Sequence, residues 1–266
     1  MNDHLKTTIT SYKNGNRYTE DQLLIVEEPL SIRIEGAPYS VVMRTPGDEI
    51  SHVAGFCLAE GLVNTPEDIV TIGFCEESDT NVATVTLTES RRKEVAELLK
   101  RKGFVSQTSC GICGKEVIKD LHQIISPAKN TFQIIPDQAL KCADMLPSYQ
   151  QLHQKTRSAH ASLILDMNLE VLSFAEDVGR HNALDKAIGK VFMDNRISDA
   201  VLGIMSSRLS YELVQKAARA GIEILIGISR PTALGVDLAR TNNMTLACVR
   251  NHNLMVYCGE ERLVEP

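Results

Sequence analysis

Residues 222–228 read Ile-Glu-Ile-Leu-Ile-Gly-Ile, and this almost wholly apolar run constrains the fold more than any other stretch. A strand with one face in water alternates polar and apolar residues, whereas one covered on both faces need not. The flanking segments extend the pattern. Ala161–Leu165 and Glu170–Phe174 read as a hairpin around Asp166-Met167-Asn168, followed by a helix with Leu184, Ala187, Ile188 and Val191 on one face. Ala200–Met205 reads as a strand and Leu209–Ala220 as a helix closed by Gly221. Pro231 suits the first turn of another helix running to about Arg240. Thr245–Val249 and Leu254–Tyr257 complete the sheet as a hairpin. This order predicts an α/β layered domain with helices on both faces of its sheet.

The first half reads differently. Leu23–Glu27, Leu30–Glu35 and Tyr39–Arg44 are short strand patterns, and a helix starts near Asp48 with Ile50, Val53, Ala54, Cys57 and Leu58 on one face. Ile69–Cys75 and Val82–Thr88 are further strands. Ser90 can cap a helix that buries Val95, Leu98 and Leu99 and ends at Gly103. This half is expected to be a compact α+β unit. Between the halves, Asp137–Leu146 and Ser148–Lys155 read as a helix broken at Pro147. The expected boundary divides the chain into 1–126 and 127–266.

Cys110-Gly111-Ile112-Cys113-Gly114 places two thiols three positions apart on a glycine-rich loop. Val117, Ile118, Leu121, Ile124 and Ile125 follow at helical spacing, so a helix is expected at or just after the motif. Unpaired N–H groups at a helix start favour thiolate over thiol. Taken alone, the pair is half a zinc site, a redox dithiol, a sulfur carrier or an accident. A structural zinc needs four ligands, and Cys57, Cys75, Cys142, Cys248 and Cys258 form no second such pair. No stoichiometric zinc is expected.

Composition excludes some classes. The first ten residues lack a signal-peptide core and no apolar stretch approaches membrane-spanning length. Seven cysteines without scaffold-like spacing then suggest reduced thiols in the cytoplasm. A net charge of −6 provides no drive towards nonspecific nucleic-acid binding.

Polar residues collect after successive strands of the second half. Glu176-Asp177-Val178-Gly179-Arg180-His181-Asn182 opens one helix, Ser206-Ser207-Arg208 follows the next strand, and Ser229-Arg230-Pro231-Thr232 the one after. One such turn is an ordinary charged cap. Three at one sheet edge suggest a pocket for a large anion, with phosphates near helix N-termini. Arg250-Asn251-His252-Asn253 adds a polar turn, and His160 reads as a structural histidine.

Together these segments resemble the FdhD family of formate dehydrogenase accessory sulfurtransferases. The resemblance rests on Ser109-Cys110-Gly111-Ile112-Cys113-Gly114-Lys115, on Glu176-Asp177-Val178-Gly179-Arg180-His181-Asn182-Ala183-Leu184-Asp185-Lys186, and on Ser206–Arg208 and Ser229–Thr232. It implies a C-terminal three-layer cytidine-deaminase-like domain, with the thiol loop between it and the N-terminal domain. It also implies sulfur taken from a cysteine desulfurase as a persulfide and delivered to the bis-molybdopterin guanine dinucleotide form of molybdenum cofactor for formate dehydrogenase. Cys110 becomes the expected carrier, with Cys113 assisting. Arg180, His181, Ser206, Arg208, Ser229 and Thr232 become expected cofactor contacts, as does the family segment Cys248, Val249, Arg250, Asn251, His252 and Asn253. The resemblance further implies a homodimer. A cofactor chaperone without sulfur transfer and a thiol-disulfide oxidoreductase are the alternatives.

Three turns depart from the family pattern. Ser206-Ser207-Arg208 stands for Ser-Gly-Arg, Ser229-Arg230-Pro231 for Ser-Ala-Pro, and Thr156-Arg157-Ser158-Ala159-His160 for Thr-Gly-Gly-x-His. Deamination is not implied, because no His-x-Glu followed by Pro-Cys-x-x-Cys is present.

Overall fold

The computed structural model describes residues 3–76, 79–100 and 125–265. Cys110, Cys113, Gly103 and the helix expected after the thiol pair therefore lie outside the described residues.

The chain opens with an unforeseen hairpin. Strands β1 (His4–Lys13) and β2 (Asn16–Ile25) pair over their full length as a two-stranded sheet. Asn14 and Gly15 both have positive φ, 51° and 79°, the backbone demanded by a two-residue hairpin turn. The strand pattern starting at Leu23 marks only the end of β2, because a ribbon exposed on both faces has no burial alternation to betray it.

Strands β3 (Glu28–Ile34) and β4 (Ala37–Arg44), helix α1 (Glu49–Ala59), and strands β5 (Ile69–Glu76) and β6 (Asp79–Leu87) follow. They form a four-stranded sheet in the order β4-β3-β6-β5, with β3 and β6 parallel. Helices α2 (Glu89–Glu94) and α3 (Ala96–Lys100) come next. The α2 cap is Thr88, whose hydroxyl accepts from the Arg91 N–H, and not Ser90.

In the second half, helix α4 (Pro136–Tyr149) runs through Pro147 and breaks at Gln150, before α5 (Gln151–Thr156). The proline weakens the last turn without ending it. Strands β7 (His160–Leu165) and β8 (Val171–Asp177) form the expected hairpin, followed by α6 (Arg180–Met193). Then come β9 (Leu202–Met205), α7 (Tyr211–Arg219), β10 (Ile224–Gly227), α8 (Ala233–Thr241), β11 (Thr245–Arg250) and β12 (Asn253–Cys258). Pro231 lies before the α8 cap, Thr232, whose hydroxyl accepts from the Gly235 N–H at 3.1 Å, so the proline is outside the helix.

These strands form one sheet in the order β12-β11-β10-β9-β7-β8, with β9, β10 and β11 parallel. Ile224 and Ile226 join Leu163, Ile204 and Leu146 of α4 in one apolar layer. Leu225 joins Ile164, Met205 and the α6–α8 helices in the other. The continuous apolar run is thus a strand covered on both faces, as its sequence required. The second layer extends to Leu30, Ile32 and Val85 of the four-stranded sheet, so one buried cluster draws on both halves. No helix among the described residues is long and apolar enough to cross a membrane.

Helices α1 and α6 cross at glycines. A Cβ on Gly55 would lie 1.9 Å from the Asp185 carbonyl oxygen, and one on Gly189 would lie 1.7 Å from that of Ser51. Beside this contact, His52 is completely buried. Burial, and the nearby charges of Lys186, Lys216 and Arg44, hold its imidazole well below the usual histidine range, against a smaller opposing contribution from Asn182. The unfolded chain takes up this proton below about pH 6.5, whereas the folded protein does not. Stability attributable to His52 is therefore complete above that pH. It falls by about 1.4 kcal/mol per pH unit below it, until the depressed folded pKa is reached. Thermal melts at pH 7.0 and 5.5 should show a smaller difference for His52→Leu than for wild type. An unchanged difference would mean that His52 does not titrate on unfolding.

Candidate functional site

The mixed strand directions bring several chain segments to one rim. Register pairs Ser162 with Met205, Met205 with Gly227, and Gly227 with Cys248. The carboxyl ends of β9, β10 and β11 therefore align. Because β7 runs the other way, its first residue, His160, lies at the same edge opposite Asp177, the last residue of β8. The turns after β9 and β10 and the β11–β12 turn all open there.

A cleft of about 820 Å³ separates this edge from α4 and α5. Ala143, Asp144, Leu146 and Pro147 of α4, followed by Gln150, form one wall. His153, Arg157 and Ser158 close one side, and His160 and Ser206 contribute from the strand ends. Ala159, Ile228, Val249, Asn251 and His252 complete the lining. A smaller recess of about 340 Å³ adjoins it, lined by Ser229, Arg230, Cys248 and Arg250 and sharing Ile228 and Val249 with the cleft. The cleft lies within the usual size range for a small-molecule or cofactor site.

The expected contacts divide accordingly. Ser206, Val249, Asn251 and His252 line the cleft, and Ser229, Cys248, Val249 and Arg250 line the recess. Arg180, His181, Arg208, Thr232 and Asn253 line neither. Thr232 serves as the α8 cap, and Asn253 donates to the Asn251 carbonyl within its turn. Arg208 is exposed, and its guanidinium has no hydrogen-bond or ion-pair partner among the described residues. The helix after Ser206–Arg208 starts only at Tyr211, so its free N–H groups lie beyond that turn.

Much of the Glu176–Lys186 run is structural. Glu176 accepts from the Leu152 and His153 N–H groups, both at 2.8 Å, and so caps α5. Asp177 is buried against Lys186 at 2.7 Å and accepts from Asn182 and the Thr45 N–H, tying the end of β4 to the start of α6. Asp185 forms a second buried pair with Lys216 of α7 at 2.8 Å. Arg180 and His181 of this run are half-buried at the start of α6. His181 Nε2 lies 2.9 Å from Glu212, and this hydrogen bond holds the Glu212 carboxyl below the usual range.

At the strand ends, the Ser206 hydroxyl accepts from the Ala161 N–H at 2.8 Å and lies 3.4 Å from His160 Nδ1. Burial, then the charge of Arg180 and the neighbouring His153 and His181, push the His160 imidazole down. His160 thus enters the cleft wall as a neutral hydrogen-bonding ring near neutral pH, with a position that its sequence context did not reveal. In the recess, Cys248 Sγ is 3.7 Å from the Tyr257 hydroxyl. Asp144, Gln150 and His153 also line the cleft, and no motif marks them in the sequence. Asp144 and His153 sit on α4 and α5 and Gln150 at the break between them, outside the strand-end turns, and the kinked, polar stretch around Pro147 is the signal that points to them.

A family model described as the FdhD/NarQ family matches residues 25–264. The chain is 35% identical to the sulfur carrier protein FdhD of Mycobacterium tuberculosis, over 92% of this chain and 93% of that protein. It is 32% identical to the protein of the same name from Sulfolobus acidocaldarius, over 97% and 98% of the two chains. The crystal structure of a candidate formate dehydrogenase accessory protein from Desulfotalea psychrophila superposes with a TM-score of 0.78 at 21% identity, covering 98% of this chain and 99% of the other. That last likeness establishes a shared fold.

Proposed function

The chain belongs to the FdhD/NarQ family, and on that premise we propose that it is a cytoplasmic sulfur carrier for molybdenum-cofactor maturation. A cysteine desulfurase offers a persulfide, and the Cys110 thiolate attacks its outer sulfur. One S–S bond forms on Cys110 as the donor's S–S bond breaks and the donor thiolate leaves, with no net oxidation. Cys113 assists the onward transfer. The recipient is the bis-molybdopterin guanine dinucleotide cofactor, destined for formate dehydrogenase. A homodimer is the working assembly in this reading.

The observation that carries the proposal is the coexistence of the Cys110/Cys113 pair with a continuous cleft and recess at the sheet edge. Arg157 in the cleft and Arg230 and Arg250 in the recess offer guanidinium groups suited to pyrophosphate oxygens. The six-stranded sheet with helices on both faces supports the cytidine-deaminase-like reading of the second half. Incubation with a cysteine desulfurase and cysteine should add about 32 Da, one sulfur, to the peptide containing Cys110. No adduct, together with tight cofactor binding, would favour a chaperone. A Cys110–Cys113 disulfide that turns over with thiol substrates would favour an oxidoreductase.

Arg157 offers a separate test. It occupies the left-handed region at φ 58° as the residue closing α5, where a glycine would be relaxed. Arg157→Gly should stabilise the fold by about 1 kcal/mol while weakening nucleotide binding, so melting temperature and GDP affinity move in opposite directions. Unchanged GDP affinity would remove Arg157 from the ligand site.

A further inference from the structure

The lining of the cleft is chemically lopsided. Asp144 is its one carboxylate, and the recess has none among the described residues. It is exposed on the α4 wall and makes no hydrogen bond or ion pair among the described residues. Three positions further along the same wall, Pro147 has no N–H to offer the Ala143 carbonyl, and both residues line the cleft. This wall presents acceptors. The Arg157 guanidinium and the rings of His153, His160 and His252 come from other segments of the lining, and the His153 Nδ1–H is spent on the Ala159 carbonyl at 2.9 Å.

A ligand matching that polarity carries adjacent N–H donors at one end and anionic oxygens at the other. Among nucleobases, guanine presents N1–H and N2–H side by side on its Watson–Crick edge, which a carboxylate accepts as a pair. Adenine places the N1 lone pair there and would face the carboxylate acceptor to acceptor. Xanthine replaces the 2-amino group with a carbonyl, which Asp144 repels and an amide at the same position can satisfy. Gln150 and Asn251 also line the cleft, but an amide can turn either its oxygen or its nitrogen to a base and so discriminates less.

We propose that Asp144 is the specificity-determining residue that selects guanine in this cleft, accepting hydrogen bonds from the base while the phosphates lie towards Arg157. This rests on reading the cleft as a nucleotide site for the cofactor's guanine dinucleotide arm. Selection by a carboxylate also excludes the adenine nucleotides that would otherwise compete for the same phosphate-binding cations.

Calorimetric titration of the full-length protein with GDP, ADP and xanthosine diphosphate, in wild type and Asp144→Asn, tests it. Wild type should bind GDP about tenfold or more tighter than ADP, the discrimination expected from charge-assisted hydrogen bonds. Asp144→Asn should lose GDP affinity by about the same factor and bind xanthosine diphosphate more tightly than wild type does. Asp144 is exposed, and the replacement is nearly isosteric, so the fold should survive. Unchanged GDP affinity in the variant overturns the assignment, as does loss of GDP binding with no gain for xanthosine diphosphate. If wild type binds no GDP, the guanine-nucleotide reading of the cleft falls, and the specificity assignment falls with it. GDP binding by wild type with an indifferent variant removes Asp144 alone.

Discussion

Cys110→Ala should abolish sulfur loading of the Cys110-Gly111-Ile112-Cys113 segment and reduce activation of formate dehydrogenase to background. Alanine provides no thiolate, and no neighbouring backbone group can substitute for a nucleophilic sulfur. Among the described residues, Cys57 and Cys142 are buried, with burial pushing both thiols up. Neither is suited to replace a reactive loop thiol at neutral pH. Cys113→Ala should load sulfur yet transfer it less efficiently. Mass spectrometry of the loaded protein and formate dehydrogenase activity in a strain carrying each variant separate the two roles. Full enzyme activity with alanine at position 110 would transfer the carrier role elsewhere and strengthen the chaperone alternative.

Gly189→Ala should be the most damaging single-methyl change in the described fold. The added Cβ would sit 1.7 Å from the Ser51 carbonyl oxygen, a backbone atom in the first turn of α1. No rotamer can relieve such a contact, so α1 and α6 must separate or unwind. Separation loosens the packing of Val53, Leu184 and Ile188 and disturbs the neighbouring Asp177–Lys186 network. The expected cost is about 3 kcal/mol, net of alanine's better helix propensity, and the expected fall in melting temperature is about 10 °C. Gly73→Ala is the control, since nothing lies within 4 Å of a Cβ there. Equal melting temperatures for the two variants would show that the helices can part without penalty.

The close crossing of α1 and α6 joins the two halves through contacts that leave no mark in the sequence of either. Neither Gly55 nor Gly189 carries a side chain to mark its partner, and their contact joins positions far apart in the chain. The alternating elements after residue 160 were legible because burial on one or both faces leaves its period in adjacent residues. Ile224 and Ile226 on one side of the sheet, with Leu225 on the other, display that rule within three residues. Capping was less legible. Thr88 and Ser90 are chemically equivalent candidates, and the hydroxyl that caps is set by where packing starts the helix.

The amino-acid order alone determined the thiol pair, the sequence of strands and helices in the second half, and the placement of Ser206, Ser229 and Cys248–Asn253 near strand ends. Each depends on local bonding preferences or on short-range periodicity. The tertiary structure alone decided what those ends face. Antiparallel entry of β7 turned His160 into the cleft, α4 and α5 folded across the opening with Asp144 and Arg157, and Glu176 and Asp177 were drawn into caps and buried pairs. Those outcomes depend on strand order, strand direction and helix packing between residues remote in the chain. Convergence of this kind is a property of long-range contacts and leaves no period in the sequence.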